Sequence, residues 1–122
     1  MARILVIDDN EQVRQVMASY LELDKHEITV AADGKQGIAQ LQSQAFDLVI
    51  TDLIMPEQDG LEVLMWLKKQ PHRPKVIAVS GGSPSLDLNY LMSMAQLLSV
   101  DKALQKPIGF ETLTTAVREL LA

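Results

Sequence analysis

The sequence predicts an α/β fold, a doubly wound five-stranded parallel sheet with strand order 2-1-3-4-5. Three observations predict it. Four short apolar runs recur along the chain with apolar residues on both faces, as strands buried on both sides of a parallel sheet require. Stretches with apolar residues at helical spacing lie between them. No repeat, low-complexity tract or flexible linker breaks the alternation, and 122 residues leave room for a single domain spanning 1–122. Right-handed crossovers over a sheet covered on both faces leave few other arrangements.

The elements follow in order. Residues 4–7 form the first strand, and Val13, Val16, Met17, Tyr20 and Leu21 make one stripe on the next helix. Glu27–Ala31 alternates Ile28 and Val30 with polar neighbours, which marks a half-covered strand near an edge. Asp33-Gly34 introduces a shorter helix carrying Ile38 and Leu41. Residues 46–51, around Asp47, are the third strand, followed by a helix marked by Leu61, Leu64 and Leu67. Residues 76–79 are the fourth strand and the weaker 103–105 the fifth, with an apolar helix predicted over 88–98 between them. Phe110, Leu113, Val117 and Leu120 repeat the helical stripe almost to Ala122.

Composition excludes several classes. Sixteen acidic against eleven basic residues give a net charge of −5, and only Lys68-Lys69 and Arg73/Lys75 lie near one another, which argues against a nucleic-acid surface. Four apolar residues before Asp8-Asp9 are far too few for a signal sequence or a membrane span, so a cytoplasmic location is the default expectation. The absence of cysteine excludes disulfides and thiolate metal sites. With 4% aromatic residues, aliphatic packing must carry the core.

In this topology ligands bind outside the carboxyl ends of the strands, near the point where strand order reverses. Those ends hold Asp8-Asp9 (first strand), Asp52 (third), Ser80 with Gly81-Gly82 (fourth) and Lys106-Pro107 (fifth). Gathered carboxylates repel by about 1 kcal/mol per pair at roughly 4 Å in water, and more at lower dielectric. A hard cation relieves that, and oxygen ligands without His or Cys suit Mg²⁺, which keeps waters and a position for a phosphate oxygen. Asp52 could then act as a nucleophile forming an acyl phosphate, Lys106 could neutralise one phosphoryl oxygen, and Ser80 could donate to another. Each residue also has a plainer reading. Asp-Asp-Asn before a helix is commonly an N-cap, an Asp after a strand a turn residue, Lys-Pro a helix start and Ser-Gly-Gly a loop. Turn chemistry alone does not require acid, acid, hydroxyl and ammonium at four strand ends that the fold brings together.

These motifs resemble the receiver domains of bacterial two-component response regulators, of the chemotaxis-receiver type, with a flavodoxin-like (βα)5 fold. The resemblance rests on Ile4-Leu5-Val6-Ile7-Asp8-Asp9, on Asp52-Leu53-Ile54-Met55-Pro56 with Asp59-Gly60, on Val79-Ser80-Gly81 and on Lys106-Pro107-Ile108. It implies that Asp52 accepts a phosphoryl group from the phosphohistidine of a sensor histidine kinase or histidine phosphotransfer protein. It further implies Mg²⁺ held directly by Asp9 and Asp52, by Asp8 through water and by the Ile54 backbone carbonyl. Ser80 would turn toward the phosphoryl group, Lys106 would pair with it, and the Lys106–Pro107 bond would be cis.

The chain departs from the family pattern at three places. Ala103 stands where the family usually has the aromatic of its signalling switch, and Ser99-Val100-Asp101 replaces the customary Gly-Ala-Asp turn. The stretch from Ser80 to Lys106 is longer than expected, which points to a longer loop over 83–87. Of the eleven residues 88–98, eight are apolar, more than one helix face buries. Tyr90 and Met92 are therefore candidates for contact with a downstream protein or a second copy. A longer loop folded over that face is the plainer explanation. Trp66 reads as packing, and His26 and His72 fall in turns without neighbouring ligands.

The function expected is a phosphorelay receiver that catalyses only its own phosphorylation and dephosphorylation, without an output domain, nucleic acid or membrane as partner. Three alternatives differ in class. A degenerate receiver would serve as a docking module, which Ala103 makes conceivable. An aspartate-nucleophile phosphatase would place its nucleophile in Asp-x-Asp after the first strand, where this chain has Asp8-Asp9-Asn10. A flavin carrier would need a Ser/Thr/Gly-rich first loop, where Asp8-Asp9-Asn10-Glu11 repels phosphate.

Overall fold

Side chains of successive strand residues point to opposite faces, so a strand apolar at every position must be covered twice. A computed structural model of the chain describes residues 1–53, 59–80, 93, 96 and 98–122 and shows this double cover. The strands are β1 (Arg3–Ile7), β2 (Glu27–Ala31), β3 (Leu48–Asp52), β4 (Lys75–Ser80) and β5 (Lys102–Gln105). All pair in parallel, in the order β2-β1-β3-β4-β5. Four helices occur among the described residues: α1 (Glu11–Leu23), α2 (Gly34–Ser43), α3 (Asp59–Lys68) and α4 (Phe110–Leu121). The apolar stretch over 88–98 with Tyr90 and Met92, the loop over 83–87, and Ile54 lie outside the described residues, apart from Ser93, Gln96 and Leu98.

The alternation within each strand sorts the core into two layers. Ile4, Val6, Leu48, Ile50, Ile77 and Val79 face Met17 and Leu21 of α1 and Leu113, Ala116 and Val117 of α4. Leu5, Ile7, Val49, Val76 and Ala78 face the other way, against Val63, Leu64 and Leu67 of α3, with Ile38 and Leu41 of α2 at its margin. Each fully buried Leu, Ile or Val contributes about 1.5–3 kcal/mol relative to exposure. β2 lies at the edge as expected, but its alternation does not hold: Val30 is exposed, Thr29 is half-buried like Ile28, and Ala31 is the buried residue. Trp66 is half-buried packing against the second layer.

Two helical stripes are narrower than their periodicity suggests. Val16 and Phe110 are 46% and 38% exposed, because α1 and α4 meet at the sheet with Met17, Leu21, Leu113 and Val117 and leave the rims of their stripes uncovered. Phe110 stands edge-on to Tyr20, ring centroids 5.5 Å apart.

Local signals account for the boundaries. Asn10 caps α1 by accepting the Val13 N–H at 3.1 Å, and Asp33 caps α2 by accepting the Gln36 N–H at 2.8 Å. Gly37 lets α2 cross close over β1, where an added Cβ would meet only the Ile7 side chain. Asp47 precedes β3 rather than joining it. Its carboxylate takes the Arg3 N–H at 2.8 Å, its own N–H goes to the Arg3 carbonyl, and its carbonyl accepts from Lys75. Asp101 does the same before β5, exchanging N–H and carboxylate bonds with Val76. An aspartate thus fixes the register at the start of two crossover strands. Ser99, in the turn before Asp101, takes φ 58°, the left-handed conformation that the customary glycine adopts without strain.

At the end of α1, Lys25 (φ 66°) closes a helix-stop motif in which His26 and Lys25 donate to the Leu21 and Glu22 carbonyls. Asp24 there pairs with Arg118 of α4 at 2.5 Å, and the Arg118 guanidinium holds the Asp24 carboxyl below its ordinary 3.8. No described helix is long and apolar enough to cross a membrane.

Candidate functional site

The carboxyl edge of the sheet gathers charged side chains from three strands. β1 ends in Ile7, so Asp8 follows buried and Asp9 exposed; β3 ends on Asp52, which is buried; Lys106 follows β5. Carboxylate oxygens of Asp8, Asp9 and Asp52 all lie within 4.8 Å of one another. The Lys106 ammonium reaches between two of them, 2.7 Å from Asp8 Oδ2 and 2.9 Å from Asp52 Oδ2. Burial alone pulls its pKa down, but the carboxylates of Asp8 and Asp52 beside it outweigh this and raise it above the ordinary 10.5. Ser80, also buried, ends β4 beside β3, and its carbonyl accepts the Lys106 N–H at 2.8 Å. The Lys106–Pro107 bond is cis and Pro107 is exposed.

Three of the four polar atoms of Asp8 are hydrogen-bonded. Its N–H donates to the Ala31 carbonyl, its carbonyl accepts from Arg14, and Oδ1 accepts the Asn10 N–H at 2.9 Å. Oδ2, fully buried, has the ammonium's charge nearby but no aligned hydrogen bond. Asp9 makes no hydrogen bond or ion pair among the described residues. An all-oxygen set with one under-satisfied buried atom and one solvent-facing carboxylate fits a hard divalent cation that retains water. This acidic cluster could bind a metal ion.

The plainer readings are separated by these contacts. Asn10, not Asp8 or Asp9, caps α1, so capping does not account for the two aspartates. Asp8, Asp9, Asp52 and Lys106 come together; Ala103 is half-buried on β5 opposite Ala78. Gly81, Gly82, Ile54, Tyr90 and Met92 lie outside the described residues. His26 and His72 are away from the site: His26 Nδ1 accepts the Ala2 N–H at 3.1 Å, and His72 is exposed.

Two residues that touch the backbone of site residues do not announce themselves by composition. Arg14 Nη1 donates to the Asp8 carbonyl at 2.7 Å. Gly60, in the first turn of α3, sits so close to β3 that a Cβ would lie 2.2 Å from the Asp52 carbonyl oxygen. Its place in the Asp59-Gly60 motif was the signal for it; for Arg14 there was none beyond its position one turn into the helix.

A flavodoxin-type topology with an acidic triad and a lysine at its carboxyl edge defines a class of signalling domain. Over residues 4–118 the chain matches the model of the response regulator receiver domain, and it belongs to that family, a domain of two-component systems. The receiver domain of a Clostridium thermocellum response regulator superposes with a TM-score of 0.86 at 31% identity, covering 99% of this chain and 94% of that one. Chemotaxis response regulator CheY4 of Vibrio cholerae superposes with a TM-score of 0.84 at 26% identity, covering 98% of each. Among curated proteins, the CAI-1 autoinducer sensor kinase/phosphatase CqsS of Vibrio cholerae is 38% identical over 79 residues, 65% of this chain and 12% of that protein. The transcriptional regulatory protein CpxR of Escherichia coli K12 is 27% identical over 121 residues, 99% of this chain and 50% of that protein. The chain spans half or less of the length of these two curated relatives.

Proposed function

We propose that this receiver is a phosphoacceptor: Asp52 takes a phosphoryl group from the phosphohistidine of a sensor histidine kinase or histidine phosphotransfer protein and signals by protein contact in the cytoplasm. The observation that carries the reading is Lys106 reaching both Asp8 and Asp52 at the end of the central strand. An Asp52 carboxylate oxygen forms the O–P bond as the P–N bond to the donor imidazole breaks, and the imidazole leaves with that electron pair and regains a proton. Bound by Asp8, Asp9 and Asp52, Mg²⁺ would offset the charge on the phosphoryl oxygens. Lys106 then follows a phosphoryl oxygen rather than the carboxylate alone, and Ser80 on the neighbouring strand supplies a hydroxyl. No separate substrate is turned over. Incubation with a small phosphodonor and Mg²⁺ is expected to add one phosphoryl group by intact mass, and Asp52→Asn to abolish the gain; a well-folded wild-type chain without a gain would leave docking as the better account.

A protein donor must seat next to the reacting carboxylate. Beside Lys106 runs an apolar groove of about 560 Å³, lined by Val13, Val16, Met17, Tyr20, Pro107 and Ile108. The uncovered rim of the α1 stripe, Val16, is thereby a docking residue rather than core. Val16→Asp is expected to slow phosphorylation by the cognate protein donor at least tenfold while leaving the rate with the small phosphodonor unchanged. Equal slowing with both donors would contradict this role.

A further inference from the structure

We infer that Arg14 is a positioning residue of the acidic site, acting through the backbone of the turn that presents Asp8 and Asp9; this rests on the proposed metal-dependent reading. Arg14 lies one turn into α1, its N–H bonded to the Asn10 carbonyl at 3.0 Å and its half-buried guanidinium to the Asp8 carbonyl at 2.7 Å. The two bonds close a ring around Asp8, Asp9 and Asn10, tying the end of β1 to the body of the helix.

The ring matters most for Asp9. The Asp8 side chain is fixed independently by the Asn10 N–H and by Lys106. Asp9 is exposed and has no side-chain partner among the described residues, so the direction of its carboxylate depends on the backbone that carries it. Water could satisfy the Asp8 carbonyl in place of Arg14, but it would not span from helix to strand. The guanidinium also brings positive charge toward the cluster, which by itself disfavours a bound cation. A residue retained only for charge would therefore weaken metal binding, and one retained for position would strengthen it. The sign of the effect separates the two.

The test is calorimetric titration of Mg²⁺ into wild type, Arg14→Met and Arg14→Lys. Methionine keeps helix propensity and apolar cover without a donor, so the melting temperature in chelator is expected to stay within a few degrees of wild type. Loss of a partner behind a metal ligand typically weakens affinity 10–100-fold. Arg14→Met is expected to bind Mg²⁺ about tenfold more weakly, and Arg14→Lys, which keeps a donor, to recover part of that loss. With a small phosphodonor, Arg14→Met should reach the wild-type rate at saturating Mg²⁺, with only the Mg²⁺ requirement shifted. Unchanged or tighter Mg²⁺ binding in Arg14→Met, with wild type binding normally, would overturn the role of Arg14 alone. Wild type that binds no Mg²⁺ would overturn the metal reading beneath it.

Discussion

Gly60→Ala is expected to lower stability by about 2–3 kcal/mol, the upper part of the range for overpacking a well-packed site. The added methyl would stand 2.2 Å from the Asp52 carbonyl oxygen, 2.9 Å from the Leu53 Cα and 3.0 Å from the Leu53 carbonyl oxygen. All three are backbone atoms, so no side-chain rotation relieves the clash. Either the first turn of α3 lifts from the sheet, uncovering Val63 and Leu64, or the end of β3 bends and carries Asp52 with it. Both routes reach the site, and a displacement of order 1 Å can cost about 100-fold in rate. The variant should therefore lose both thermal stability and phosphorylation rate with a small phosphodonor. Gly109→Ala is the control: its Cβ would meet nothing within 4 Å. Only the weaker helix cap should register there, at about 1 kcal/mol or less. A Gly60→Ala variant as stable and reactive as Gly109→Ala would show that the close approach is not maintained in solution.

What could be read from the chain follows from which forces leave a local trace. Strands β1, β3 and β4 were legible because burial on both faces demands unbroken apolar runs. β2 was legible as an edge strand, but not its covered face, since Val30 stands exposed and Ala31 buried. The convergence of Asp8, Asp9, Asp52 and Lys106 was legible because topology alone determines which strand ends are neighbours. Long-range backbone contacts leave no such trace. Nothing about Asp47 or Asp101 in sequence says that each completes the ladder of another strand, so β3 was expected to begin at Phe46 rather than Leu48. Periodicity likewise identifies the inward face of a helix but not the width of its cover, which is why Val16 and Phe110 read as core and stand half outside it.

Lys106→Met is the second large effect, expected to destabilise the chain by about 2–4 kcal/mol in metal-free buffer. The range is that for breaking a buried ion pair, reduced somewhat because the lysine side chain remains 18% exposed. Methionine preserves the packing of the stem, so the loss reports charge. Asp8 and Asp52 would be left as neighbouring buried carboxylates without the ammonium that now lies 2.7 and 2.9 Å from them. Mg²⁺ should then stabilise the variant more than wild type, since it supplies positive charge where the ammonium stood; at 100 times its dissociation constant a ligand contributes about 2.7 kcal/mol. Urea melts with chelator and with saturating Mg²⁺ measure both quantities. The pH dependence has a definite sign. A base whose pKa is raised on folding contributes stability fully present below its ordinary value, here 10.5, and loses it only as pH rises through the raised value. The gap between wild type and Lys106→Met should accordingly stay constant from about pH 7 to 9 and close only in strong alkali. A gap already closed at pH 9 would mean that the two carboxylates do not raise the Lys106 pKa, and one that Mg²⁺ leaves unchanged would mean that they do not depend on its charge.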